Sequence, residues 1–205
     1  VPFLASIREE TGVTLSDLNL GGGYGVRYTQ EDEAIDIPAR LAELAAYLKE
    51  ETERLGLPMP RFLMEPGRSI VADAGMTLYT VGSVKRIPGY KQYAAVDGGM
   101  TDNPRYALYQ SRYTVYHAHK SGSMERFDVV GRCCESGDII QPGVELPGDT
   151  CRGDILAVCT TGAYNYSMAS NYNRLPRPAV VMLTPDRIYE AVRRETFADL
   201  TGLDL

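Results

Sequence analysis

The sequence predicts the tail of an α/β barrel followed by a mostly antiparallel β domain, and three observations carry that prediction. Over residues 1–75, short apolar runs alternate with one strongly periodic helix and end in polar loops rich in glycine and proline. From residue 76 the helical period gives way to β-rich segments separated by turn residues. The first part holds about two strand–helix units, too few to close a (β/α)8 barrel, so the rest of that barrel is expected upstream. The expected domains are therefore residues 1–75 and 76–205.

Taken in order, residues 1–12 read as the end of a helix that closes at Gly12. The chain opens without Met, so a truncated or processed protein is expected. Residues 13–20 end in an apolar run that feeds Gly21-Gly22-Gly23-Tyr24-Gly25, a strand followed by a glycine loop. From Ile37 to Leu55, apolar residues recur at Leu41, Leu44, Ala45 and Leu48, and Pro38 suits a first helical turn. Gly56 stops this helix, and Pro58 and Pro60 prevent its resumption. A second short run, Arg61-Phe62-Leu63-Met64, then delivers Glu65-Pro66-Gly67-Arg68 at its C-terminal end. Strands are expected over Met76–Lys85, Tyr93–Asp97, Arg112–His117, Asp128–Cys133, Ile155–Thr160 and Ala179–Leu183. Helical periodicity returns over Arg187–Thr196. No internal repeat or low-complexity stretch is evident.

Charge and composition exclude several functional classes. The net charge is −6 and there is no block of consecutive lysines or arginines, so a nucleic-acid partner is not expected. No apolar run approaches the length of a membrane span and the opening residues carry no basic leader, so a cytoplasmic protein is expected. The four cysteines (Cys133, Cys134, Cys151 and Cys159) form no CxxC pair and are too few for a disulfide framework in 205 residues.

Five segments carry chemistry. The loop Gly21–Gly25 exposes backbone N–H groups without side-chain obstruction, which suits a phosphate, although a glycine triplet also makes an ordinary tight turn. In Glu65-Pro66-Gly67-Arg68 a carboxylate at a strand end can keep a pyridine nitrogen protonated, while Gly67 and Arg68 can contact phosphate or a substrate carboxylate. A salt-bridged loop is the simpler use of the same residues. Asp102-Asn103-Pro104-Arg105, with Tyr109 after it, offers an arginine behind a rigid turn that binds a carboxylate or faces solvent. Cys134-Glu135-Ser136-Gly137-Asp138 places a thiol beside acids, and a neighbouring negative charge favours the protonated thiol, as a proton donor needs. Gly162-Ala163-Tyr164 follows a strand in a polar, aromatic loop, where most of the 14 tyrosines must simply pack. His117 and His119 alternate along an expected strand but lack a third ligand, so both are read as surface residues and no metal is expected.

Together and in this order, Gly21–Gly25, Glu65–Arg68, Asp102–Tyr109, Cys134–Asp138 and Gly162–Tyr164 closely resemble the C-terminal half of the diaminopimelate decarboxylase family, over nearly the whole chain. That family belongs with ornithine decarboxylase and alanine racemase, whose cofactor domain is a (β/α)8 barrel and whose second domain is β-rich. The glycine loop and Glu-Pro-Gly-Arg are widely shared there, whereas Asp-Asn-Pro-Arg and Cys-Glu-Ser-Gly-Asp are more particular to the diaminopimelate branch.

The resemblance implies pyridoxal 5'-phosphate as cofactor, with its phosphate held by Gly21, Gly22, Gly23 and the backbone of Gly67 and Arg68. It implies Glu65 at the pyridine nitrogen and Arg68, Arg105 and Tyr109 around the distal carboxylate and amine of meso-diaminopimelate. Glu135 would bind the distal amino group, Tyr164 would contact both cofactor and substrate, and Cys134 would return the proton after CO2 departs. The family's cofactor-linked lysine lies on an early barrel strand, and none of Lys49, Lys85, Lys91 and Lys120 has that setting. The chain by itself is therefore expected to be inactive. The cysteine falls in the β domain and the phosphate loops in the barrel, and in the family a second subunit unites them, so a homodimer with shared sites is expected. Competing readings are a decarboxylase of ornithine, arginine or carboxynorspermidine, or an inactive regulatory paralogue. Arg105 and Tyr109 favour a substrate with a second carboxylate.

Overall fold

The structure is a computed structural model that describes residues 1–205, and the chain divides into two compact units. The first comprises Val1–Arg27 and Glu31–Val71, and the second Tyr28–Gln30 and Ala72–Leu205.

In the first unit, helix α1 (Pro2–Thr11) closes at Gly12, whose N–H donates to the Arg8 carbonyl at 2.9 Å. Strand β1 (Asp17–Asn19) pairs in parallel with β2 (Arg61–Leu63), in the register Asp17↔Arg61, Leu18↔Phe62, Asn19↔Leu63. An Arg61–Asp17 ion pair at 2.6 Å reinforces the first rung. Helix α2 (Ile37–Arg54) begins where the sequence places it, because the Asp36 carboxylate accepts the Ala39 N–H at 3.0 Å and Pro38 has no N–H to satisfy. Its end is a Schellman-type turn in which Leu57 N–H reaches the Thr52 carbonyl at 2.9 Å. Arg8 ties the two helices by donating to the carbonyls of Gly56 and Leu55 at 2.7 and 3.0 Å. Of the expected apolar stripe on α2 only Leu48 is buried, and Leu41 is exposed. The short helix α3 (Arg68–Val71) ends the unit.

The second unit is built on a six-stranded mixed sheet. Its strands are β3 (Met76–Arg86), β4 (Gln92–Val96), β5 (Val115–His117), β6 (Met124–Val130), β7 (Ile139–Pro147) and β8 (Ile155–Cys159). The spatial order is β5-β8-β3-β4-β6-β7, antiparallel throughout except for the parallel pair β4–β6. Alternate residues turn inward, and Tyr79, Val81, Phe127, Val129, Ile140, Leu146, Leu156 and Val158 form one core. The two edges nearly meet: just ahead of β5, Tyr113 N–H donates to the buried Gln141 side chain of β7 at 2.8 Å. Helix α4 (Arg105–Tyr109) interrupts the strands, and a hairpin of β9 (Val180–Leu183) and β10 (Ile188–Val192) precedes α5 (Phe197–Thr201).

Three expectations need correction. Arg187–Thr196 is not helical: Ile188–Val192 pairs with β9, because Pro185 and Asp186 form a hairpin turn closed by Thr184 N–H on the Arg187 carbonyl at 3.0 Å. Only Thr196 belongs to a helix start, capping α5 jointly with Asp199. Strand β7 was unforeseen because Pro142, Gly143 and Pro147 read as turn residues. The sheet absorbs them through register shifts, with Gly143 N–H donating to Asp128 Oδ1 at 2.8 Å and Lys91 held on the other oxygen at 2.6 Å. His117 is not a surface residue. Its side chain is 2% exposed, Nδ1 accepts the N–H groups of His119 and Lys120, and Nε2 lies 3.1 Å from the Asp154 carboxylate.

No helix is long and apolar enough to cross a membrane, and no group of three or more His, Cys, Asp or Glu side chains is placed to hold a metal ion.

Candidate functional site

The predicted residues fall into one group in the first unit and two in the second, where no contact joins Cys134 and Glu135 to Arg105, Tyr109 and Tyr164. In the first unit the glycine loop and Glu65 lie side by side because β1 and β2 are parallel neighbours, so both strands deliver their C-terminal ends to one edge. Gly21 O accepts the Glu65 N–H at 2.8 Å. Gly22 admits no side chain, since a Cβ there would lie 2.1 Å from the Glu65 carbonyl oxygen. No backbone acceptor in the chain takes the N–H groups of Gly22, Gly23 or Gly67. This edge therefore presents free donors with no side chain above them, beside a carboxylate, and that set fits a phosphate joined to a nitrogen heterocycle. Asn19, not singled out in the sequence, bridges the two parts: its Oδ1 accepts Gly21 N–H at 2.7 Å and its Nδ2 donates to Glu65 Oε1 at 2.6 Å. Arg68 follows, half-buried, as the first residue of α3.

In the second unit the structure brings Arg105, Tyr109 and Tyr164 together. The Arg105 guanidinium carbon lies 5.3 Å from the ring centroids of both tyrosines. Arg105 is only 7% exposed, and its guanidinium donates to Ser111 Oγ at 3.3 Å and lies against the Tyr113 hydroxyl, both neutral partners. No carboxylate of the chain pairs with it. A buried cation without a counter-anion is costly, so the arrangement suits an anionic ligand. Tyr164 takes a positive φ of 64°, which a non-glycine residue adopts at a cost.

The loop ahead of Arg105 is braced from below. The Tyr79 hydroxyl donates to the Asp102 carboxylate, which also accepts Gly99 N–H at 2.9 Å. Burial pushes both groups up from their ordinary ranges, so the phenol keeps its proton in this contact.

Cys134 and Glu135 are exposed on the turn after β6. Asp138, from the same motif, is 4% exposed and shapes that turn: its carboxylate accepts Met100 N–H at 2.6 Å and Cys133 N–H at 2.7 Å. A Cβ at Gly131 would lie 2.2 Å from this carboxylate, so the motif's approach depends on glycine there. Asn173 pins the other side by accepting Cys134 N–H at 2.8 Å. Cys133 differs from its neighbour: burial, with the Asp138 carboxylate adding to it, pushes that thiol up to about 11.

Residues 15–162 match the family of pyridoxal-dependent decarboxylases at its C-terminal sheet domain, and the chain belongs to that family. The diaminopimelate decarboxylase of Bacillus subtilis is 50% identical over 190 residues, covering 92% of this chain and 43% of the relative. That of Halalkalibacterium halodurans is 45% identical over 204 residues, covering 98% of this chain and 46% of the relative. The crystal structure of diaminopimelate decarboxylase from M. jannaschii, in complex with L-lysine, matches all of this chain and 46% of its own with a TM-score of 0.90 and 33% identity. The chain thus spans less than half the length of these relatives.

Proposed function

We propose that the protein containing this chain decarboxylates meso-2,6-diaminopimelate to L-lysine and CO2, with pyridoxal 5'-phosphate as cofactor. The observation that carries the choice of substrate is Arg105, buried between Tyr109 and Tyr164 with no carboxylate of its own chain. Ornithine and arginine lose their only carboxylate in the reaction, and only a substrate with a second one supplies the missing anion. The names of the relatives and the L-lysine bound to the M. jannaschii enzyme support the same reading.

In this reading residues 1–75 are the C-terminal part of the cofactor-binding (β/α)8 barrel and residues 76–205 the second domain. The parallel pair β1–β2 and the exposed apolar residues of the first unit, among them Phe3, Leu41 and Ile70, support it. Gly21, Gly22 and Gly23 and the backbone of Gly67 and Arg68 hold the cofactor phosphate. Glu65 holds a proton on the ring nitrogen. When bound, the cofactor supplies an electron sink for the pair left on carbon as CO2 departs. Arg68, Arg105 and Tyr109 bind and orient the distal carboxylate, Glu135 takes the distal amino group, and Tyr164 contacts both cofactor and substrate. Cys134 gives its Sγ proton to the carbon that lost CO2, and solvent restores the thiol.

The test compares full-length protein with Arg105→Ala on meso-diaminopimelate and on L-ornithine. The expected result is turnover of diaminopimelate only, with kcat/KM falling about a hundredfold in the variant, or ~3 kcal/mol for a charge-assisted contact. Equal turnover of both substrates, unchanged by the substitution, contradicts the assignment.

A further inference from the structure

Asn19 stands two residues ahead of the glycine loop, at the last rung of the parallel pair β1–β2. Its carboxamide is fully engaged in two directions. One end accepts the first backbone N–H of the glycine loop, from Gly21 at 2.7 Å, and the other donates to the Glu65 carboxylate at 2.6 Å. Around it the backbone repeats the link, with Leu20 N–H on the Leu63 carbonyl at 3.0 Å and Glu65 N–H on the Gly21 carbonyl at 2.8 Å. Gly22 closes so tightly over Glu65 that a Cβ has no room.

We propose that Asn19 is a positioning residue that fixes Glu65 against the glycine loop. One side chain thereby sets the spacing between the carboxylate that meets the ring nitrogen and the donors that meet the phosphate. The inference rests on the reading of Glu65 given above. Only an amide of this length does both jobs, since the loop N–H needs an acceptor and the carboxylate needs a donor. Aspartate would keep the first contact and place a second carboxylate at hydrogen-bond distance from Glu65 with no donor between them. Alanine would remove both contacts. With Oε1 tied down, the Glu65 side chain loses rotational freedom and its other oxygen stays aimed, which is how an outer partner preorganises a binding group.

The experiment uses the full-length protein and the variants Asn19→Asp, Asn19→Ala and Glu65→Gln. It measures cofactor dissociation constant, the pH dependence of the bound cofactor's visible absorbance, kcat and KM, and melting of the cofactor-free protein. Asn19→Asp is isosteric and keeps the Gly21 contact, so its melting temperature is expected to stay near wild type. Its absorbance–pH profile is expected to differ from wild type, and that of Asn19→Ala, which frees Glu65 without adding charge, to move in the same direction as that of Glu65→Gln. The kcat of Asn19→Asp should fall by about tenfold to a hundredfold, the range for outer-shell partners, with KM unchanged. Asn19→Ala should in addition weaken cofactor binding. Wild-type spectra and cofactor affinity in both Asn19 variants, beside an altered Glu65→Gln, overturn the positioning role alone. A lowered melting temperature as the sole defect overturns it equally. An unaltered spectrum in Glu65→Gln removes the reading of Glu65 and this inference with it.

Discussion

Adjacent cysteines at 133 and 134 differ in burial. Cys133 is half-buried with its thiol raised to about 11, first by burial and then by the Asp138 carboxylate, whereas Cys134 and Cys151 are exposed. A raised value leaves almost no thiolate at neutral pH, so iodoacetamide at pH 7 should alkylate Cys151 while Cys133 stays unmodified. Peptide mass spectrometry across a pH series should show Cys133 reacting only as pH climbs toward that range, and rapid alkylation at pH 7 contradicts this account of its environment. At the same scale, Arg105 was legible in the sequence as an arginine behind a turn that binds a carboxylate or faces solvent, and only the family resemblance implied the first. One ring that covers it belongs to Tyr164, 59 residues further on, and no local pattern announces that contact. Asn19 went unread for a similar reason: it is an unremarkable strand residue whose partner Glu65 lies 46 positions away.

The element that matters most is the turn Cys134–Asp138. The sequence showed its thiol and acids but not their division of labour, in which Asp138 turns inward to hold the backbone and Cys134 and Glu135 turn outward. Asp138→Asn keeps the size but replaces one acceptor oxygen by a donor that opposes a backbone N–H. The expected cost is about 1–3 kcal/mol, the range for an unmet buried hydrogen bond. Urea denaturation of the full-length protein should show this loss together with a lower kcat. Unchanged stability and kcat would mean that the turn does not depend on Asp138. Helix α2 was readable nearly to the residue because its signals are local, Pro38 in the first turn and Gly56 beyond the end, and the structure adds the Asp36 cap. Strand β10 was not, because Ile188, Ala191 and Val192 also satisfy a helical period, and only pairing with β9 settles the choice. Strand β7 hid behind Pro142 and Gly143 because a bulge stabilised by Asp128, a residue of the neighbouring strand, does not show in its own segment.

On the scale of the whole molecule, the second unit is a curled sheet whose core is continuous from Tyr79 to Val158, with the Gln141 side chain spanning its open seam. Its strand content was visible from alternation, but its order was not, since the parallel pair β4–β6 joins segments that sequence alone leaves unassociated. The first unit leaves Phe3, Leu41 and Ile70 exposed, as a piece of a larger barrel would. The reading of shared active sites belongs to this scale. It predicts that the full-length protein has the mass of a homodimer in solution, measured by sedimentation equilibrium. A fully active monomer contradicts it.

We propose that this chain carries the substrate-recognising and proton-donating residues of a diaminopimelate decarboxylase. The most direct test is production of L-lysine and CO2 from meso-diaminopimelate by the full-length protein, run beside its Cys134→Ala variant. Lysine is expected from the wild type and a strongly reduced kcat from the variant, with cofactor still bound in both. Cofactor binding without lysine production, or a variant as active as the wild type, would contradict the substrate and the proton donor respectively.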